Sequence, residues 1–160
     1  MSGTPEARSK ARAGPARTIL LAGLLAGVLD IAAAFAVYGL RGASPVRILQ
    51  SIASGLLGVA AFQGGLETAA LGALLHFAIA LVAAGVYYAA SRKLGILLRR
   101  PILSGMLYGV AVYVFMNHVV VPLSAVPKRP FVLSLALVIL VVHMLCVGLP
   151  IALIVRRHAT

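Results

Sequence analysis

The chain has 160 residues, of which 62% are hydrophobic, and it carries a formal net charge of +11 with only three acidic side chains. Its mean hydropathy of +1.07 lies far above that of an ordinary soluble domain, which excludes a water-soluble fold. The cations flank long apolar runs instead of forming one basic patch, so the lipid bilayer is the expected partner and nucleic acid is not.

In chain order, the first predicted element is a flexible basic cytoplasmic tail over residues 1–17. A single domain over residues 18–157 follows, and it contains four long apolar runs. Each run exceeds the roughly 20 residues that cross about 30 Å of hydrocarbon as a helix. The runs cover residues 18–40, 68–91, 101–121 and 131–155. They predict an all-α membrane protein built as a bundle of four transmembrane helices.

Between the first two spans, residues 45–64 are predicted to form a short interfacial or re-entrant outer helix. Its uncharged part, Ile48–Leu66, is alternatively a fifth span, although it carries several glutamines, serines and glycines. Four spans place ten Lys and Arg side chains on one side of the membrane and four on the other, whereas five spans would place six and eight. The positive-inside rule therefore favours four spans with both termini in the cytoplasm.

The first span carries one acidic residue inside the apolar run. Asp30 shares a helix face with Gly23 and Gly27, whose four-residue spacing lets a neighbouring helix approach closely. Asp30 is therefore predicted to point toward protein and away from lipid. The run is too long for the core of a cleaved signal peptide, so we expect this span to be retained.

Each of the other spans carries one histidine. His76 lies on a face of small residues in the second span, and His143 shares a face with Cys146 and Pro150 in the fourth. Pro150 has no N–H to donate to the carbonyl of Cys146, which predicts a kink and a free carbonyl one turn from His143.

The third span is harder to orient. Gly105 and Gly109 form a second closely spaced glycine pair, while His118, beside Asn117, lies nearly opposite them on the helix. Either this helix is covered on two sides, or one of these two interpretations is wrong.

These residues together predict a polar cluster inside the membrane. By helical rise, Asp30 and His143 lie near the bilayer centre. His76 lies about 12 Å from the outer end of its span, and His118 lies about 5 Å from the outer end of the third span. We expect the cluster to line a cavity that opens outward, with Glu67 at its mouth. An ionised aspartate at this depth costs about 2.5–3.5 kcal/mol, so protonation, a histidine partner or water is expected to compensate. The predicted cluster comprises Asp30, His76, His118, His143 and Asn117.

The cluster leaves several functions open. We expect a non-enzymatic membrane protein whose cluster stabilises the bundle and conducts or senses protons, because histidine titrates near neutral pH. The main alternative is a subunit that binds haem or a transition metal through His76, His118, His143 and Cys146. A third hypothesis is an accessory protein or homo-oligomer assembled through the two glycine pairs. The chain has no P-loop and no nucleophile-elbow motif, which favours a role without catalysis.

The order of these features resembles that of the YagU-like family of small bacterial inner-membrane proteins. The shared features are Gly23/Gly27, Ser44-Pro45, His76 followed by Gly85 and Tyr87, then Gly105, Gly109, His118 and Pro122-Leu123, and finally His143 and Arg156-Arg157. The resemblance implies an inner-membrane location and the same histidine-bearing bundle, and it implies no particular activity. The outer segment of this chain is shorter than that of such proteins.

Overall fold

The computed structural model describes residues 14–128 and 130–159, and within these ranges the chain is helical throughout with short connections and no strand. Five helices are long and apolar enough to cross a membrane. They are α1 (Pro15–Gly39), α2 (Pro45–Gln63), α3 (Gly65–Lys93), α4 (Pro101–Leu123) and α5 (Leu133–His158). The predicted all-α membrane class is therefore confirmed.

The predicted tail lies largely outside the described residues, and its last three residues are corrected by the structure. Pro15, Ala16 and Arg17 form the first turn of α1. Proline is favoured at this position because its missing N–H would have no partner in the first turn and its fixed φ suits a helix.

Helix α2 begins as predicted at Pro45, with the hydroxyl of Ser44 accepting a hydrogen bond of 3.2 Å from the backbone N–H of Arg47. The α-helix ends at Leu57, and a tighter 3₁₀ segment continues to Gln63. Gly58 permits this change of direction because its φ is +59°. Helix α2 packs along α3, where the buried side-chain amide of Gln50 donates to the carbonyl of Gly65 over 3.0 Å.

Helices α1 and α3 are antiparallel neighbours. Gly23 lies against Leu81 and Gly27 against Phe77, so the end of α1 and the start of α3 lie at the same end of the pair. Helix α2 starts a few residues after α1 and stops one residue before α3, so both of its ends lie there too. The connection after α4 reaches the same place, because the N–H of Ala125 donates to the carbonyl of Gly55 over 2.9 Å. We call this the α2 end and the opposite one the basic end.

The closely packed core lies at the basic end. There the small side chains of α1 and α3 pack against the last part of α5. Tyr87 is the largest buried side chain of this core. Among the described residues, none of α1 after Gly27, of α4 after Gly109 or of α5 before Val147 is buried. The helices therefore pack tightly at the basic end and separate toward the α2 end. The core residues are Ala22, Ala26, Ala83, Ala84, Tyr87, Val147, Ile151, Ala152 and Val155.

Two π-helical segments interrupt α4 and α5, at Met116–Val120 and His143–Gly148. Each stops two residues before a proline, Pro122 or Pro150. Proline cannot donate to the carbonyl four residues back and its ring crowds that carbonyl, so a wider turn relieves the clash. The sequence predicts a kink before Pro150, and the structure shows that the distortion takes the form of a π-helical segment that starts at His143.

Candidate functional site

A cavity of about 310 Å³ occupies the space between the separating helices at the α2 end. All five long helices contribute to its wall, and Asp30, His76 and His143 all line it. Asp30 lies nine residues before the end of α1, His76 eleven residues after the start of α3 and His143 ten residues after the start of α5. By helical rise, the Cα atoms of the three residues therefore lie at similar depths, about 14–17 Å from the α2 end.

Asp30 is half-buried and has no protein partner for its charge. Within residues 14–128 and 130–159 its carboxylate makes no hydrogen bond and no ion pair, and no fully buried side-chain oxygen or nitrogen in that part lacks a partner. The carboxylate oxygens are therefore accessible and not sealed inside the protein. Its small and apolar neighbours on α1, Ala26, Ile31 and Ala34, also line the cavity and offer no compensating charge.

His76 connects two helices. Its Nε2 lies 2.8 Å from the carbonyl oxygen of Gly27 in α1. A carbonyl can only accept, so Nε2 carries the proton and donates, and in the neutral ring Nδ1 is left as an acceptor. The contact depends on the absence of a side chain at Gly27, where a Cβ would lie 2.7 Å from Cδ1 of Phe77. His76 therefore stabilises the α1–α3 pair, and its Nδ1 makes no hydrogen bond to any residue that the structure describes.

His143 uses its hydrogen bond differently. Its Nδ1 donates to the carbonyl of Ile139 in its own helix over 2.9 Å, and its ring forms a T-shaped pair with that of Tyr113, with 5.6 Å between the centroids. In the neutral ring the other nitrogen, Nε2, is again an acceptor without a hydrogen bond in the described part of the chain. Each histidine of the cavity thus keeps one ring nitrogen without a hydrogen bond to the described residues.

Arg47 also lines the cavity. From the sequence it is only one of the four cations that the four-span topology places on the outer side of the membrane. It stands in the first turn of α2 and is the one cation among the described residues that line the cavity. Its guanidinium stacks over the ring of Phe62 at 3.9 Å, a cation–π contact that holds it at the α2 end. The Ser44-Pro45 helix start could have placed Arg47 on α2, but the side on which α2 packs was not readable from the sequence.

His118 and Asn117 do not join the cavity, which corrects the predicted cluster to Asp30, His76 and His143. Both are exposed, and each bonds to a carbonyl of its own helix, that of Val114 for His118 and that of Tyr113 for Asn117. The glycine face of α4 packs against α5, so the opposite face that carries His118 faces outward. Glu67 is exposed and does not line the cavity either.

The predicted metal ligands do not come together. Among the described residues, no group of three or more His, Cys, Asp or Glu side chains is arranged to hold a metal ion. Cys146 is half-buried and does not line the cavity, while His118 lies on the outer surface of α4. Of the four predicted ligands, only His76 and His143 therefore line the same cavity.

Both glycine pairs make contacts within the chain. Gly23 and Gly27 lie against α3, and Gly105 and Gly109 lie against α5. A Cβ on Gly23 would lie 2.8 Å from the Cα of Leu81, so the helices can approach this closely only without a side chain there. Each pair therefore brings two helices of the same chain together.

No protein-family model, no curated protein sequence and no solved structure matches this chain. The chemistry of the cavity therefore has to be deduced from its own side chains.

Proposed function

We propose that the chain is a four-span protein of the bacterial inner membrane, with both termini in the cytoplasm and α2 as an outer helix that does not cross. The antiparallel α1–α3 pair supports this topology, because both ends of α2 lie at one end of that pair. Arg17, Arg92, Arg100 and Arg156 all lie near the basic end, which the positive-inside rule assigns to the cytoplasm. The resemblance to the YagU-like proteins forms part of the same proposal.

Cysteine labelling tests this topology. In a Cys146→Ser background, we expect Leu40→Cys and Leu66→Cys, before and after α2, both to react with a membrane-impermeant maleimide added to intact spheroplasts. Leu94→Cys, at the basic end, should react only after permeabilisation. The three positions are well exposed, so failure to react reports on the membrane and not on burial. Reaction of positions 40 and 66 from opposite sides would mean that α2 crosses the membrane.

The function that the cavity supports best is reversible binding of protons that arrive from the outer aqueous phase. The observation that carries this function is an accessible, unpaired Asp30 carboxylate in one cavity with two imidazoles that each keep an acceptor nitrogen. A carboxylate this deep is costly unless water, a cation or a proton accompanies it. Imidazoles titrate in the pH range that bacteria meet outside the cytoplasm. The protein would act as a sensor of external acidity.

Proton binding is better supported than proton conduction because the basic end is closed. Ala22, Ala26, Ala84, Ile151 and Val155 have no exposed surface, and they fill the space between the cavity and the basic end. No acidic or histidine side chain belongs to this described core. Within the described core, a proton that enters from the α2 end therefore meets no carboxyl or imidazole group to which it can pass toward the cytoplasm, and the hydroxyl of Tyr87 there donates its proton to the carbonyl of Leu97.

Proton uptake by reconstituted protein tests this function. In a Glu67→Gln background, which removes the other described carboxyl side chain, acidification of the medium should give proton uptake by the protein and no acidification of the vesicle lumen beyond that of empty vesicles. Asp30→Asn should lower the uptake by about one proton per chain, since one carboxylate is lost. Unchanged uptake would remove Asp30 from the function, and lumenal acidification that depends on Asp30 would show conduction instead.

A further inference from the structure

A second cavity lies near the basic end, on the outside of the α3–α4 pair. It is a groove of about 430 Å³, and it shares no lining residue with the cavity of Asp30. Tyr87 and Tyr108 line the groove together with Leu103 and Leu107, whose side chains are 53% and 60% exposed. In a membrane this groove faces the lipid and is not closed by any other described element.

The body of the groove is suited to hydrocarbon. The hydroxyl of Tyr87 donates to the carbonyl of Leu97 over 3.1 Å, and the hydroxyl of Tyr108 donates to the carbonyl of Ala83 over 2.7 Å. Both donors are therefore used within the protein, and the aromatic rings present mainly their apolar surface. Leu103, Leu107 and Ala111 follow one another along one face of α4 over about 12 Å.

The mouth of the groove carries groups that suit an anion. Arg100 lines it at the start of α4, and Ser104 lines it one turn further on. Ser104 is only 9% exposed, yet its hydroxyl makes no hydrogen bond within the described residues, although a helical serine commonly donates to the carbonyl four residues back. The first turn of α4 has no side-chain cap and no acidic residue, so its N–H groups add a positive potential.

The charge around this mouth has one sign. Arg92 and Lys93 lie in the last turn of α3, and Arg99 lies next to Arg100 in the connection between α3 and α4. The acidic residues of the described part are Asp30, which lines the other cavity, and Glu67, at the start of α3 in the α2 end. No described carboxylate therefore offsets the cations at the basic end.

We infer that the groove binds one anionic phospholipid, with the phosphate at Arg100 and Ser104 and an acyl chain along Leu103, Leu107 and Ala111. An apolar slot that ends in a cation, an unbonded hydroxyl and an uncapped helix start matches the two chemically different parts of such a lipid. The site does not depend on proton binding by Asp30, and it lies at a membrane surface whichever way the protein is oriented.

Native mass spectrometry of the detergent-purified full chain tests the inference with phosphatidylglycerol and phosphatidylcholine of identical acyl chains. We expect wild type to bind one phosphatidylglycerol with at least about tenfold preference, which corresponds to one charge-assisted hydrogen bond. Arg100→Gln should reduce that binding about tenfold and Ser104→Ala severalfold. Arg92→Gln removes the same charge from an exposed position off the groove and should change binding by less than about twofold.

The acyl part of the site has its own pair of variants. Ala111→Phe fills the groove and should weaken phosphatidylglycerol binding severalfold, whereas Val114→Phe places the same side chain on the lipid-facing side of α4 outside the groove and should not. Circular dichroism checks that each variant is folded. Equal losses for Arg100→Gln and Arg92→Gln would overturn the site in favour of diffuse surface charge. Equal binding of both lipids, or full competition by soluble glycerol phosphate, would also overturn it.

Discussion

Gly148→Ala should strongly destabilise the protein. A Cβ on Gly148 would overlap the backbone carbonyl oxygen of Gly105 and lie 2.8 Å from the Cα of Gly109. Overpacking typically costs about 1–3 kcal/mol, and backbone atoms cannot move aside as a side chain can, so we expect at least about 3 kcal/mol. At about 2–4 °C per kcal/mol, the unfolding midpoint in detergent should fall by at least about 6–12 °C.

Gly85→Ala is the matched control for this prediction. Gly85 also lies inside a membrane-length helix, but the nearest atom to an added Cβ is Cγ2 of Ile19 at 4.0 Å, which is ordinary contact. The midpoint should stay unchanged or rise slightly, since alanine favours a helix more than glycine does. The chain has no tryptophan, so far-ultraviolet circular dichroism is the suitable probe. A Gly148→Ala protein as stable as Gly85→Ala would show that α4 and α5 do not pack through their glycines.

Asp30→Asn should make the protein more stable, not less. The substitution keeps the shape of the side chain and removes a charge that has no partner among the described residues. An ionised aspartate at mid-membrane costs about 2.5–3.5 kcal/mol, and cavity water offsets part of this, so we expect a gain of about 1–2 kcal/mol, or about 2–8 °C.

Glu67→Gln provides the comparison, because Glu67 is an exposed acidic side chain that does not line the cavity. Its loss should change the free energy of unfolding by less than about 0.5 kcal/mol. A loss of stability in Asp30→Asn would mean that the carboxylate holds the bundle together. The predicted gain instead marks a residue that is kept at a cost in stability, as functional groups often are.

The sequence predicted the helices well because their physical causes are local. Apolar length defined the spans, Ser44-Pro45 marked the start of α2, and the spacing of small residues around Gly23 and Gly105 marked packed faces. Those causes depend on neighbours a few residues apart, so a single chain reveals them. The placement of Asp30 and His76 on packed faces followed from the same periodicity.

The rest of the site depends on how helices meet, and the sequence does not contain that information in local form. His118 and His143 both lie within long apolar runs of the sequence. His118 faces outward because the opposite, glycine-bearing face of α4 packs on α5, and that packing is seen only in the structure. Arg47 enters the cavity because α2 packs on α3 with Gly72 against Leu49. A proline predicts that the helix is distorted before it, but the form of the distortion, a π-helical segment in α4 and α5, is seen only in the structure.

The proposal depends most directly on Asp30 exchanging a proton with the outer aqueous phase. Infrared difference spectroscopy of the reconstituted protein can follow this, because the chain has only three acidic side chains. With Glu6→Gln and Glu67→Gln in place, Asp30 is the one carboxyl side chain left. We predict a protonated-carboxyl band that appears reversibly as the bulk pH is lowered and is absent after Asp30→Asn. A band that is present and constant at every pH at which the protein stays folded would mean that Asp30 is a permanently neutral packing residue and would contradict the account.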